Sequence, residues 1–143
     1  MANQSFEKHA QIVPGFMINL LVLLITFVGS MVNLYESWSD PQRHYSAALL
    51  VVLTGCLMVT TFFARTFPLK AQDRAIRAEE NLRHFVLTGK LLDPRLAPLQ
   101  IVALRFASDA EFPELARKAA EANMLPVDIK KSVKNWRPDT YRV

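Results

Sequence analysis

Two apolar stretches without a charged residue constrain this chain most. They cover 16–34 and 47–64, and a short polar loop separates them. Each is close to the roughly 20 residues with which an α-helix crosses about 30 Å of hydrocarbon. Because backbone groups in lipid must pair within their own segment, both stretches should be helices. The sequence therefore predicts a membrane-spanning hairpin over 14–67, with spans at about 15–35 and 46–66.

The alternative is that both stretches are buried helices of a water-soluble domain. Two uncharged runs of this length rarely lie side by side in a small soluble domain, which disfavours that alternative. The first run is also too long for the apolar part of a cleaved signal peptide, so we expect it to remain as an anchor.

Positive charges set the expected orientation of the hairpin. The loop between the spans holds one basic residue, Arg43, whereas several follow the second span between Arg65 and Arg83. Lys and Arg concentrate in cytoplasmic segments, so the second span should end in the cytoplasm. An even number of spans then returns the N-terminal arm, residues 1–13, to the same side. We expect a multi-pass protein with both termini cytoplasmic.

Small and polar residues recur at helical spacing inside the two spans. In lipid, small residues let helices approach and polar side chains find protein partners. We therefore expect this set to pack helices together, within the hairpin or against another membrane protein. The set is Asn19, Thr26, Gly29, Ser30, Asn33, Thr54, Gly55 and Thr61. In an antiparallel hairpin, Thr26 should fall near the depth of Thr54, and Asn19 near that of Thr61.

The remaining residues, 68–143, predict a small cytosolic domain of helices. Pro68 should break or kink the chain as it leaves the bilayer, because proline disfavours helix at the preceding residue. Three further helices are expected, which begin at Pro98, at the capping box Ser108-Asp-Ala-Glu111 and at Pro126. No segment alternates as a strand does, so the predicted fold class is all-α.

The helix expected from Leu69 to about Thr88, ended by Gly89, carries apolar residues at a/d heptad spacing. These residues are Ala71, Ala75, Ala78, Leu82 and Phe85. The stripe is too short to require a coiled coil, so we expect it to pack on the domain's own helices. Two ion pairs of i,i+4 spacing, Asp73–Arg77 and Glu79–Arg83, are expected along the same helix.

Basic residues give the chain a net charge of +4 and suggest contact with anionic lipid headgroups or a partner. The expected contact residues are Arg65, Lys70, Arg74, Arg77, Lys130, Lys131, Lys134 and Arg137, together with Trp136. A solvated charged face is the simpler explanation of the C-terminal cluster. Nucleic acid is not an expected partner, because no groove or aromatic platform is evident.

The sequence contains no motif that points to catalysis, a cofactor or a metal. Phosphate-binding loops, dinucleotide fingerprints, nucleophile elbows and zinc-protease motifs are all missing. Glu80 and His84 have a spacing that can ligate zinc, but no further His or Cys lies near them. Cys56 is the only cysteine, so no internal disulfide can form. We predict no catalytic, cofactor-binding or metal-binding residue.

Three segments carry a resemblance to a known family: 64–90, Leu104-Arg-Phe-Ala-Ser-Asp-Ala-Glu-Phe-Pro-Glu-Leu115, and Ile129-Lys-Lys-Ser-Val-Lys-Asn-Trp-Arg137. They resemble a family of small bacterial two-span membrane proteins that is described only as a domain of unknown function. The likeness covers nearly the whole chain. It implies a bacterial inner-membrane protein with a cytosolic helical tail, and it implies no activity, ligand or catalytic residue.

These observations favour a membrane-anchored, non-enzymatic accessory or scaffold protein. Its expected partners are the lipid bilayer and other membrane-protein subunits or a second copy of itself, in a larger complex or a small homo-oligomer. A component of a transporter or channel is the first alternative, although no Asp, Glu, Lys or His lies at mid-depth in the spans. A membrane-tethered enzyme that uses carboxylates of the tail is the second, and it requires a pocket that gathers several of them.

Overall fold

The computed structural model describes residues 6–8 and 13–139, so most of the expected arm 1–13 lies outside the described residues. Helices form nearly all of the regular structure. They are α1 (Pro14–Glu36), α2 (Pro41–Thr88), α3 (Pro98–Leu104), α4 (Phe112–Glu121) and α5 (Pro126–Ser132), with a 3-10 turn at Phe6–Lys8. The described residues form no strand beyond an isolated bridge between Ala107 and Trp136. This confirms the predicted all-α fold class.

The chain forms two compact units whose boundary lies between Phe67 and Pro68, inside α2. The first, Gln11–Phe67, is called the hairpin unit. The second consists of Pro68–Val143 together with Met1–Ala10 and is called the helical domain. Of the expected break or kink at Pro68, the break does not occur, because α2 continues through this proline. One proline removes a single backbone hydrogen bond, and the ladders on both sides of it persist.

In the hairpin unit, α1 and the apolar part of α2 are long and apolar enough to cross a membrane. Only 6% and 11% of their most apolar 18-residue windows are buried inside the protein. The core helix of a soluble protein would be mostly buried. Between the helices, the Asp40 carboxylate accepts hydrogen bonds from the backbone N–H groups of Gln42 and Arg43. This cap, followed by Pro41 in the first turn, explains why α2 begins where it does.

The helical domain is built around α3, which packs against both α4 and α5. Leu104 of α3, Phe112 of α4 and Ile129 of α5 are fully buried in one apolar cluster. α2 ends at Thr88, and Gly89 follows with a φ of +72°, the left-handed conformation that ends helices. Gly89 therefore stops the helix as predicted.

The capping box expected at Ser108 and Glu111 is only half formed. The Glu111 carboxylate accepts the Ser108 N–H at 3.2 Å, but α4 begins at Phe112 and the buried Ser108 hydroxyl has no partner among the described residues. The same carboxylate also accepts the N–H groups of Lys134 and Asn135. Glu111 thus ties the segment after α5 to the start of α4, a long-range role that a local motif does not reveal.

Candidate functional site

The two helices of the hairpin unit meet where small and polar residues face each other. Ser30 and Thr54 are buried, and their hydroxyl oxygens lie 3.4 Å apart. Each hydroxyl also lies within hydrogen-bond distance of a carbonyl of its own helix, Ser30 of Phe27 and Thr54 of Leu50, so each proton has one acceptor within its helix and one across the contact. A Cβ added at Gly55 would contact the Phe27 ring at 3.7 Å. These contacts let α1 and α2 approach closely.

The rest of the predicted packing set does not join this contact. Asn19, Thr26 and Gly29 are exposed, and the Thr26 hydroxyl donates to its own helix. Thr61 is half-buried, and the Asn33 side-chain oxygen accepts a hydrogen bond from Arg43 at 3.3 Å. Thr54 faces Ser30 rather than Thr26, so the register differs from the expected one by about one helical turn. Of the eight residues, two are buried in the hairpin, three are half-buried and three are exposed.

The predicted basic contact residues differ in exposure and in what they contact. In the hairpin unit, the Arg65 guanidinium lies 5.8 Å from the centre of the Phe16 ring. In the helical domain, Lys130 and Trp136 pack on the ring of Phe106, at 5.7 and 4.9 Å. The exposed members of the set are Lys70, Arg74, Arg77, Lys131, Lys134 and Arg137. Trp136 therefore belongs partly to the domain's interior.

A polar cleft in the helical domain was missed by sequence reasoning. Its volume is about 310 Å³ and it is lined by Glu79, Glu80, Arg83, Asp109 and Arg137. Arg83 lies at its centre with a side chain only 11% exposed. The Arg83 guanidinium donates to the Asp109 carboxylate at 2.7 Å, to Glu80 at 2.8 Å and to the Ala107 carbonyl at 2.7 Å. The expected pair Glu79–Arg83 is wrong, because Arg83 turns to Glu80 and Asp109.

The hydrogen bonds in this cleft first of all hold two segments of the domain together, and we call this connection the structural tie. All three guanidinium nitrogens of Arg83 donate within the domain, and the guanidinium also lies 4.4 Å from the Phe112 ring centre. Arg83 thereby fastens α2 to the segment between α3 and α4. The second arginine, Arg137, lies 3.9 Å from the Glu80 carboxylate. The cleft nevertheless gathers the carboxylates of Glu79, Glu80 and Asp109, which is the arrangement that an enzyme of the tail would require.

The apolar stripe of α2 does not pack on the other helices of the helical domain. Leu82 is 63% and Phe85 50% exposed, and the alanines of the stripe are exposed as well. Ile76 and Glu80 are buried on the opposite side of the same helix. The expected packing of this stripe on the domain's own helices is therefore wrong. The hydrogen bonds of Arg83 to Glu80, Asp109 and Ala107 set which side of α2 faces the domain. The apolar pattern along the helix does not.

Among the described residues, no group of three or more His, Cys, Asp or Glu could hold a metal ion. Comparison of the whole chain with curated proteins and with solved structures finds no match. A family, however, matches residues 1–143, the full length of the sequence. The chain therefore belongs to DUF6526, a family of unknown function.

Proposed function

We propose that this chain is a membrane-anchored, non-enzymatic accessory or scaffold protein. Its hairpin spans a bacterial inner membrane and holds the helical domain at the cytoplasmic face. The observation that carries this proposal is the exposure of apolar side chains around α1 and the first part of α2. Few residues of either segment are buried inside the protein. Such a surface is stable in lipid and costly in water.

The orientation is proposed from the distribution of charge. Arg65, Lys70, Arg74 and Arg77 follow the second span, against Arg43 in the loop between the spans. This bias supports a cytoplasmic position of the helical domain. There the exposed lysines of the domain can contact anionic headgroups.

The role as a subunit is supported by the three exposed residues of the packing set. Asn19, Thr26 and Gly29 share one exposed side of α1, where a neighbouring helix can approach at Gly29 and bond to Asn19. We expect this face to contact another membrane-protein subunit or a second copy of the chain.

The test combines topology with assembly. A reporter fused to the C-terminus should lie in the cytoplasm. A reporter inserted at Ser39 should lie on the far side of the membrane. After purification in a mild detergent, mass measurement should show a complex larger than one chain, and Gly29→Leu should reduce it while the control Val28→Leu should not. A strict monomer without a co-purifying protein, or a domain on the far side, contradicts the proposal.

The polar cleft favours a second candidate, a membrane-tethered enzyme that acts through carboxylates of the tail. Glu79 and Asp109 are exposed at the mouth of the cleft, so Glu79→Gln should leave the fold intact. A small molecule whose binding to the full chain is lost in Glu79→Gln but kept in Glu121→Gln, an exposed carboxylate of α4, would favour this candidate.

A further inference from the structure

The apolar stripe of α2 has no partner within the described part of the chain. Its residues, the exposed stripe, are Ala71, Ala75, Ala78, Leu82 and Phe85, and Val86 beside them is 75% exposed. On the other side of the helix Ile76 and Glu80 are buried, and Arg83 donates to Asp109 and to the Ala107 carbonyl of the domain. A partner can therefore cover the exposed stripe without any rearrangement of the domain.

We infer that the exposed stripe binds the same stripe of a second copy of this chain, as a parallel two-stranded coiled coil. The spacing assigns Ala75 and Leu82 to position a of the heptad, and Ala71, Ala78 and Phe85 to position d. In a parallel pair each of these residues meets its own counterpart across a two-fold axis. The alanines allow close approach next to the membrane, and Leu82 and Phe85 supply the larger apolar contacts.

Charge complementarity selects a second copy as the occupant. Arg74 falls at position g and Glu79 at position e, five residues later. In a parallel coiled coil a g residue contacts the e residue five positions along the partner, so Arg74 of each copy meets Glu79 of the other. Both side chains are exposed, and the described residues provide neither with an ion pair. An antiparallel pair would bring e to e and g to g, which opposes like charges.

This inference rests on the proposed membrane anchoring, which also supplies the register. Two copies inserted in the same way leave the bilayer at the same residue, so their exposed stripes begin at the same level. Confinement to one membrane raises the local concentration and removes part of the rotational freedom that association costs. A stripe of about two heptads, weak between free chains, becomes sufficient under these conditions.

Disulfide crosslinking in proteoliposomes tests the contact directly. In a Cys56→Ala background, Ala78→Cys places the two new thiols across the axis at position d, within the reach of a disulfide. Mild oxidation should convert most of this variant to covalent dimers. The control Arg77→Cys is exposed on the same helix but about 100° away, and it should remain monomeric. Equal crosslinking at Ala78 and Arg77, or none at Ala75 and Ala78, overturns the inference.

A charge exchange tests the pairing between copies. Glu79→Arg sets like charges against Arg74 of the other copy and should weaken the dimer by about fivefold. Arg74→Glu should do the same, and the combination of both substitutions should restore association. Leu82→Glu, at position a, should reduce it much further. A combined variant no better than either single one contradicts the parallel pairing.

The failure of this inference can be told apart from that of the proposed function. The same variants are also oxidised in native membranes, and if their thiols join to a different protein there instead of a second copy, the dimer is wrong and the accessory role stands. If they join to nothing while the chain stays in the membrane in a larger complex, the same conclusion holds. If the chain does not enter the membrane at all, the proposed function itself fails.

Discussion

Leu53 of the hairpin unit and Leu104 of the helical domain are the same residue in opposite surroundings. Leu53 is 54% exposed, whereas Leu104 is fully buried between helices. In the hairpin unit large apolar side chains are exposed, and the polar residues Ser30 and Thr54 are among the few that are buried. In the helical domain the buried charges, Glu80 and Arg83, are tied to each other.

The difference teaches that the two units use different forces to hold helices together. In water, removal of apolar surface drives packing, and a buried charge needs a partner. Between helices in lipid that drive is missing, so close approach at small residues and hydrogen bonds take over. The buried contacts of the helical domain fit the first rule, and those of the hairpin unit fit the second. We therefore propose that one chain folds against two solvents.

Placing charges on the exposed face of the hairpin should have the largest effect. Ile25 and Val28 are 63% and 54% exposed near the middle of α1. If they face lipid, Ile25→Arg combined with Val28→Arg should disfavour insertion by about 6 kcal/mol. The measurement is the fraction of protein that remains in the membrane after alkaline carbonate extraction.

The matched control places the same charges on the helical domain. Leu99 and Val127 are 59% and 51% exposed there. Leu99→Arg combined with Val127→Arg should leave membrane retention unchanged, because water solvates the new charges. Similar retention of the two double variants would remove the contrast between the units.

Removing the central charge of the helical domain should have the next largest effect. Arg83→Met leaves the Glu80 carboxylate, whose side chain is 8% exposed, without its close partner. Such a loss typically costs about 4 kcal/mol. Hydrogen exchange of the full chain in nanodiscs should show lost protection in α2 after Pro68 and in α4, with the hairpin unit unaffected.

The variant Arg83→Met with Glu80→Leu provides the control, because it removes both charges together. Its protection should recover most of the loss, since an apolar pair needs no counter-charge. If the single variant keeps full protection, the cleft is not a structural tie. That result would revive the cleft as a binding site.

The sequence predicted the helices better than the way they pack, and the reason is the range of the interactions. The apolar runs and the stop at Gly89 depend on residues close in sequence. The partners of Arg83 do not, because Asp109 and Ala107 lie more than twenty residues away on another segment. The face of α2 that packs, and with it the exposed stripe, follows from those distant ties. Periodicity identified the stripe but could not tell what covers it.

A smaller effect is expected from the polar contact inside the hairpin. Thr54→Val keeps the shape of the side chain but loses the contact with the Ser30 hydroxyl. Hydrogen bonds between membrane helices contribute about 0.6 kcal/mol on average. Unfolding in mixed micelles titrated with a denaturing detergent should shift slightly for Thr54→Val. The control Thr60→Val, on an exposed position of the same helix, should not shift, and equal shifts would contradict a specific contact.

The smallest effect concerns a titration in the helical domain. The backbone N–H and the guanidinium of Arg95 donate to the Asp93 carboxylate, which lowers its pKa from 3.8 to about 2. A carboxyl whose pKa is lower in the folded state stabilises that state above the unfolded value of 3.8, and the contribution disappears as the pH falls through about 2. Because the pair is exposed, the contribution is small.

Carboxyl NMR of the full chain should place the Asp93 midpoint near 2, and Arg95→Gln should return it toward 3.8. A midpoint unchanged by Arg95→Gln would show that the arginine is not the cause. The spans offer no such titration, since they hold no acidic residue.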